Sequence, residues 1–191
     1  MREMNIPFFF KDNSESKDHE LLLDYFLAWT LRCAQESNEM DKLRIASKNI
    51  ISFLLSENLD KYKIETVYTW KQWNQIDLCA EIVLKDENNV PRKIAILFEN
   101  KMYTHLREGQ LNKYKNKFKE FYELKENGKT DYELKYYFLT CHYEEEQLKS
   151  DFEEAQKYDY KPLRFDHLKS GSNLIEKTGN FMFDEFWFNY F

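Results

Sequence analysis

Glycine and proline are scarce in this chain, 4 and 3 among 191 residues. Tight turns depend on those two residues, so an all-β fold of many hairpins is excluded and helices joined to a few strands are expected. Cysteine is scarce too. Cys33, Cys79 and Cys141 are odd in number and show no C-x-x-C spacing, which removes a disulfide framework and leaves reduced core thiols of a cytoplasmic protein as the expectation. Long apolar runs are missing as well: none approaches a membrane span, and Ile6 to Phe10 is too short for the hydrophobic region of a signal peptide. Nor is there an excess of positive charge. With 28 Lys and Arg against 34 Asp and Glu and a net charge of -6, a nucleic-acid partner would need a local basic patch.

Aromatic rings are abundant. The 13 Tyr, 16 Phe and 4 Trp, within an apolar share of 42%, mark a folded chain whose core is built largely from rings. The length suits one domain spanning residues 1–191. Ser14 or Ser16 can cap a helix starting near Asp18, with Leu22, Tyr25, Phe26, Trp29 and Cys33 at helical spacing. A second helix is expected from Asp41 to Leu55, closed by Asn58. From Tyr62 to Trp73 the composition turns β-branched and aromatic, residues 75–84 continue as a second strand, and Lys93 to Phe98 forms a third whose unbroken apolar run suits burial on both faces. Further on lie an amphipathic helix (Glu108 to Lys125), a strand (134–140), a polar helix (Glu144 to Lys157), a short edge strand (Pro162 to Leu168) and an aromatic C-terminal helix. The order implies an α/β fold with a mixed central sheet of about four to five strands, in which a helical crossover makes the third and fourth strands parallel.

Charge enters this pattern most abruptly at I-A-I-L-F-E-N-K, residues 94–101. A carboxylate or ammonium is costly to bury unless paired or metal-bound, and residues i and i+2 of a strand share a face, so Glu99 and Lys101 project together. The triplet alone says little, because Glu15/Lys17, Glu123/Lys125, Glu133/Lys135 and Asp159/Lys161 repeat it. Its setting differs. If the second and third strands form a hairpin through D-E-N-N-V-P, Asp77 falls beside Glu99 at the end away from the turn. Two carboxylates and an ammonium then share one place, and carboxylate oxygens suit Mg²⁺ or Mn²⁺ rather than Zn²⁺.

These residues resemble the PD-(D/E)XK nuclease superfamily, and within it a bacterial branch with an I-D strand, an I-E-N-K strand and a Q-L-x-R/K-Y helix. They stand here as Ile76-Asp77, Phe98-Glu99-Asn100-Lys101 and Gln110-Leu111-Asn112-Lys113-Tyr114, and Leu27-Ala28-Trp29 is similar to that branch's first helix, where a glutamate precedes the Leu by a heptad at Glu20. The resemblance implies a restriction-endonuclease-like core and metal-assisted hydrolysis of a phosphodiester, with DNA as substrate in defence, restriction or repair. Asp77, Glu99 and the main-chain carbonyl of Asn100 would hold Mg²⁺ or Mn²⁺, with Glu20 completing this site or a second one. Lys101 would position the attacking water, and Gln110 and Tyr114 would line the site. The family's His-Ser pair is replaced here by Leu23-Asp24, so Asp24, one turn beyond Glu20, stands as its alternative.

Plainer readings stand beside these. Glu20 also suits a first-turn acid on a helix dipole, Tyr114 a core ring, and the lysines at 113, 115, 117 and 119 a solvated helix face or a route to the DNA backbone. His19, His105, His142 and His167 show no ligand spacing, although His105 follows closely on Lys101. The aromatic C-terminal helix is most simply core, but the rings of Phe181 to Phe191 exceed what one side of a helix can bury, which leaves part of it for a homodimer interface. The competing function is a non-catalytic module on a nuclease-like scaffold that binds nucleic acid or protein.

Overall fold

The computed structural model describes residues 19–102, 104–125, 128, 130–141 and 144–190. Helices α1 (His19–Cys33) and α2 (Asp41–Leu55) precede a meander of β1 (Lys63–Trp73), β2 (Ile76–Lys85) and β3 (Pro91–Lys101). Then come α3 (Gln110–Lys125), β4 (Tyr132–Thr140), α4 (Glu145–Lys157), β5 (Lys161–Arg164), α5 (Phe165–Gly171) and α6 (Phe181–Glu185), the last running on as a π-helical turn, Phe186–Tyr190. The expected cap at Ser14 or Ser16 lies outside the described residues.

The five strands form one mixed sheet in the order β1-β2-β3-β4-β5. Both meander connections are antiparallel, while β3/β4 and β4/β5 are parallel, because α3 and α4 carry the chain back across the sheet between them. These crossovers also cover one face. The other face packs on α1, α2, α5 and α6, so the sheet lies between two apolar layers. β3 shows the consequence: Ile94, Ile96 and Phe98 join the layer under α1 and α2, and Ala95 and Leu97 join the layer under α3. All five are fully buried, each large one worth roughly 1.5–3 kcal/mol. Because strand faces alternate, a slip of one residue would send Glu99 to the α1 side. The apolar run thus fixes where the charges go.

Several boundaries differ from the sequence reading. Helix α2 stops before Asn58, at Ser56 in a left-handed conformation (φ 56°), whose N–H returns to the Phe53 and Ser52 carbonyls; Asn58 instead accepts from the Asp60 N–H at 2.7 Å. The expected edge strand Pro162 to Leu168 is a strand only to Arg164 and helical from Phe165. That helix lies so close on α2 that a Cβ at Gly171 would sit 2.1 Å from the Phe53 ring, which leaves room for glycine alone. Cys33, Cys79 and Cys141 are free thiols, the first two buried.

The aromatic tail follows the plainer of its two readings. Phe183, Phe186 and Trp187 are fully buried in this chain's own core, Phe186 stacks on Phe26 with centroids 4.6 Å apart, and Trp187 Nε1 donates to Thr30 Oγ1 at 3.1 Å. Asp184 fastens the segment by accepting from the Thr178 N–H (2.7 Å), the Thr178 hydroxyl (2.8 Å) and the Gly179 N–H (3.0 Å). These rings fill the chain's own core, as the core reading expects, whereas Phe181 is half-exposed; a homodimer through this segment is not supported. Among the described residues, no helix is long and apolar enough to cross a membrane.

Candidate active site

Charge is concentrated where β2 begins and β3 ends. The sequence places the end of β3 at Phe98, but the strand runs on to Lys101, held by parallel pairing of Glu99, Asn100 and Lys101 with Phe138, Leu139 and Thr140 of β4. The triplet is therefore inside the sheet rather than emerging from it. Glu99 and Asn100 are fully buried and Lys101 nearly so. Leu78 pairs with Phe98, so one further step of the antiparallel register brings Asp77 beside Glu99, as the hairpin reading requires.

Lys101 is the hub of the cluster. Its Nζ lies 2.7 Å from Glu99 Oε1, 3.2 Å from the Asn100 carbonyl oxygen and 3.9 Å from Asp77 Oδ2. Asp77 Oδ2 in turn accepts from the Asn100 N–H at 2.9 Å. Helix α3 supplies a second donor to the same carboxylate: Gln110, its first residue, reaches Glu99 Oε1 at 2.5 Å and the Tyr114 hydroxyl at 3.3 Å. The i,i+4 spacing of Gln110 and Tyr114 puts them on one helix face. Gly109 (φ 71°) permits the turn that aims this helix at the sheet.

Helix α1 approaches from the opposite face. Asn100 points to that side, as strand alternation demands, and its amide donates to Asp24 Oδ1. Glu20, one turn earlier, accepts from the Met102 N–H at 3.0 Å and the Thr104 hydroxyl at 2.7 Å. Glu20 thus clasps the segment leaving β3, and Asp24 grips the middle of the triplet. Both alternatives raised by the sequence reach the cluster, in different roles. The sequence reading missed the Asn100 side chain and Thr104. Parity alone signals the first, since a residue between Glu99 and Lys101 must face α1.

The electrostatics are strained. Burial raises the Glu99 carboxyl well above its usual range and the Asp77 carboxylate adds to this, with Lys101 opposing both. Asp77 is also raised, by burial against the pull of Lys101 and the Asn100 N–H. Asp24 is pushed up to about 7 by burial and by Asp77. Burial works against the charge on Lys101, yet Glu99 and Asp77 outweigh it and hold the ammonium above its ordinary value. Tyr114 is raised by burial and then by Glu99. Several carboxyl groups therefore crowd a single buried cation.

Among the described residues, no three His, Cys, Asp or Glu side chains stand grouped to hold a metal as they are. The donor set nevertheless fits one. Glu99 Oε2 is buried without a hydrogen-bond partner, and three oxygens of Glu99, Asn100 and Asp77 already surround a positive charge, that of Lys101. Oxygen-only ligands select hard divalent cations.

Several of the surrounding lysines are tied. Lys113 donates to Gln75 Oε1 at 2.9 Å. Lys115 is committed to the Tyr158 carbonyl and Asp159, and Lys119 pairs with Glu123, so the lysine-rich helix is less free than its sequence implies. His105 and His167 are exposed, whereas His142 and the His19 side chain lie outside what is described. No curated protein and no solved structure matches the chain. A family model described as the PD-(D/E)XK nuclease superfamily matches residues 6–180, and its nuclease-like scaffold agrees with the five-stranded mixed sheet between helices. Fold, ordered motifs and this match together place the chain in the PD-(D/E)XK nuclease superfamily.

Proposed function

We propose that this chain is a single-domain, metal-dependent nuclease that hydrolyses phosphodiester bonds in DNA. The observation that carries the reading is the set of three oxygens, from Asp77, Glu99 and the Asn100 carbonyl, gathered around Lys101 Nζ at 2.7–3.9 Å. Those oxygens would hold Mg²⁺ or Mn²⁺, which when bound acts as a Lewis acid on the phosphate and lowers the pKa of a coordinated water. Lys101, beside these oxygens, would orient the attacking water and offset charge on the phosphate. Gln110 keeps Glu99 aligned and Tyr114 backs Gln110. Glu20 and Asp24 hold the end of β3 from behind, a role that needs no metal contact.

The test is cleavage of plasmid and linear DNA in Mg²⁺ or Mn²⁺ by the wild type beside Lys101→Ala and Asp77→Ala. Loss of cleavage in both variants is expected; cleavage that survives both sinks the assignment. A second reading, a non-catalytic nucleic-acid-binding module, draws on the same ammonium: Lys101 and Gln110 both occupy Glu99 Oε1, which would suit a permanently sealed cluster. Saturable Mn²⁺ binding that depends on Asp77 separates the two.

A further inference from the structure

The tip of the β1/β2 hairpin, residues 72–75, joins the last two residues of β1 to a two-residue turn and carries three carboxamides and a ring, Gln72-Trp73-Asn74-Gln75. It stands at the candidate site. Lys71 pairs with Leu78 and Trp73 with Ile76, and Asp77 lies on β2 between these two pairs, two residues beyond Gln75. A substrate strand whose phosphate is held at Asp77 and Glu99 would therefore run beside this tip.

The backbone of the tip is unusual for the residues it holds. Gln72 (φ 56°), Asn74 (φ 54°) and Gln75 (φ 73°) are all left-handed, three of the seven such non-glycine positions among the described residues. Glycine adopts this conformation without steric cost, and asparagine tolerates it better than glutamine does. Two glutamines thus stand where glycine is the easier choice. All three carboxamide residues are exposed. Their base is rigid: Trp73 meets Phe121 of α3 edge to face at 5.0 Å, and Lys113 of α3 bonds Gln75. Lys71 lies 3.9 Å above the Tyr25 ring of α1. Two ammonium groups therefore flank three uncharged amides.

From this juxtaposition we infer that the 72–75 tip is the substrate-reading element of the enzyme: Gln72, Asn74 and Gln75 hydrogen-bond the edges of the bases beside the cleaved bond, while Lys71 and Lys113 hold the neighbouring phosphates. Carboxamides present a donor and an acceptor side by side and so suit base edges, adenine above all, whereas lysines bring affinity without sequence. This rests on the nuclease reading of the site.

The test uses Gln72→Gly/Asn74→Gly/Gln75→Gly, since glycine suits each left-handed position and removes only the side chains; an unchanged or higher melting temperature checks the fold. Affinity for a panel of fluorescently labelled DNA duplexes of different sequence is read by anisotropy in Ca²⁺ over a range of salt. The expected result is a preference among the duplexes in the wild type that the variant loses, with affinity for the preferred duplex falling about tenfold or more and the salt slope unchanged, because no cation is removed. Unchanged affinity, a shallower slope, or a wild type that shows no preference among the duplexes overturns the inference. Plasmid cleavage is followed in parallel. A wild type that binds through the tip but never cuts overturns the nuclease reading and leaves the tip a DNA-binding element, whereas an active enzyme with unaltered affinity and cut positions in the variant overturns the role of the tip alone.

Discussion

Strand β3 carries ion pairs at both ends, built in opposite ways. At its start Arg92 donates to both oxygens of Glu133, at 2.5 and 2.9 Å, and to Glu57 at 2.6 Å. These groups are partly exposed, and the Arg92 hydrogen bond draws Glu133 below the usual carboxylate range. At its end the Glu99/Lys101 pair is buried, burial drives Glu99 upward, and one Glu99 oxygen has no partner. The first arrangement is relaxed and serves the fold. The second is under electrostatic stress that a divalent cation would relieve, so the stress, rather than the presence of an ion pair, separates a reactive site from a structural one.

Substitutions at the two ends should diverge, and the largest effect belongs to Lys101. Lys101→Ala is expected to lower DNA cleavage about a thousandfold, on the scale of losing one preorganised charge-stabilising group, and to reduce stability by about 3 kcal/mol as the carboxylates lose the cation between them. Cleavage kinetics and chemical denaturation read both. Next is the pH response. Asp24 is raised from 3.8 to about 7, so its favourable contribution is complete below its ordinary value and is lost as pH climbs through about 7. Stability should fall by about 2–4 kcal/mol across that interval, and Asp24→Asn should flatten the fall in denaturation curves taken along the pH series. Arg92→Ala should cost about 1–2 kcal/mol through its lost charged hydrogen bonds and leave cleavage unchanged. The smallest contrast is one of sign: at neutral pH, Glu133→Gln should lower the unfolding free energy of metal-free protein, while Glu99→Gln should leave it level or raise it, each by about 1 kcal/mol or less. A fall of equal size in both would erase the distinction.

Much of this was legible from the residues. Alternation and the hairpin were enough to bring Asp77 beside Glu99, and i,i+4 spacing placed Gln110 with Tyr114. Three things were not. The strand continues past Phe98 because β4 pairs with Glu99 to Lys101, a long-range fact that no local pattern encodes. The roles of Glu20 and Asp24 depend on where α1 crosses the sheet, so sequence could name both but not divide the work between them. The tail was read as core with a part left over for a homodimer, because ring content speaks of burial but not of which chain does the burying; Phe26 meets Phe186 and Thr30 meets Trp187 only in the fold.

The oxygens around Lys101 are held to form a divalent-cation site, and a calorimetric titration of Mn²⁺ into metal-free wild type and Asp77→Ala examines that most directly. The expected result is saturable binding in the wild type that disappears in the variant, with Arg92→Ala binding as the wild type does. Absence of saturable binding in the wild type, or binding that Asp77→Ala leaves intact, would contradict it.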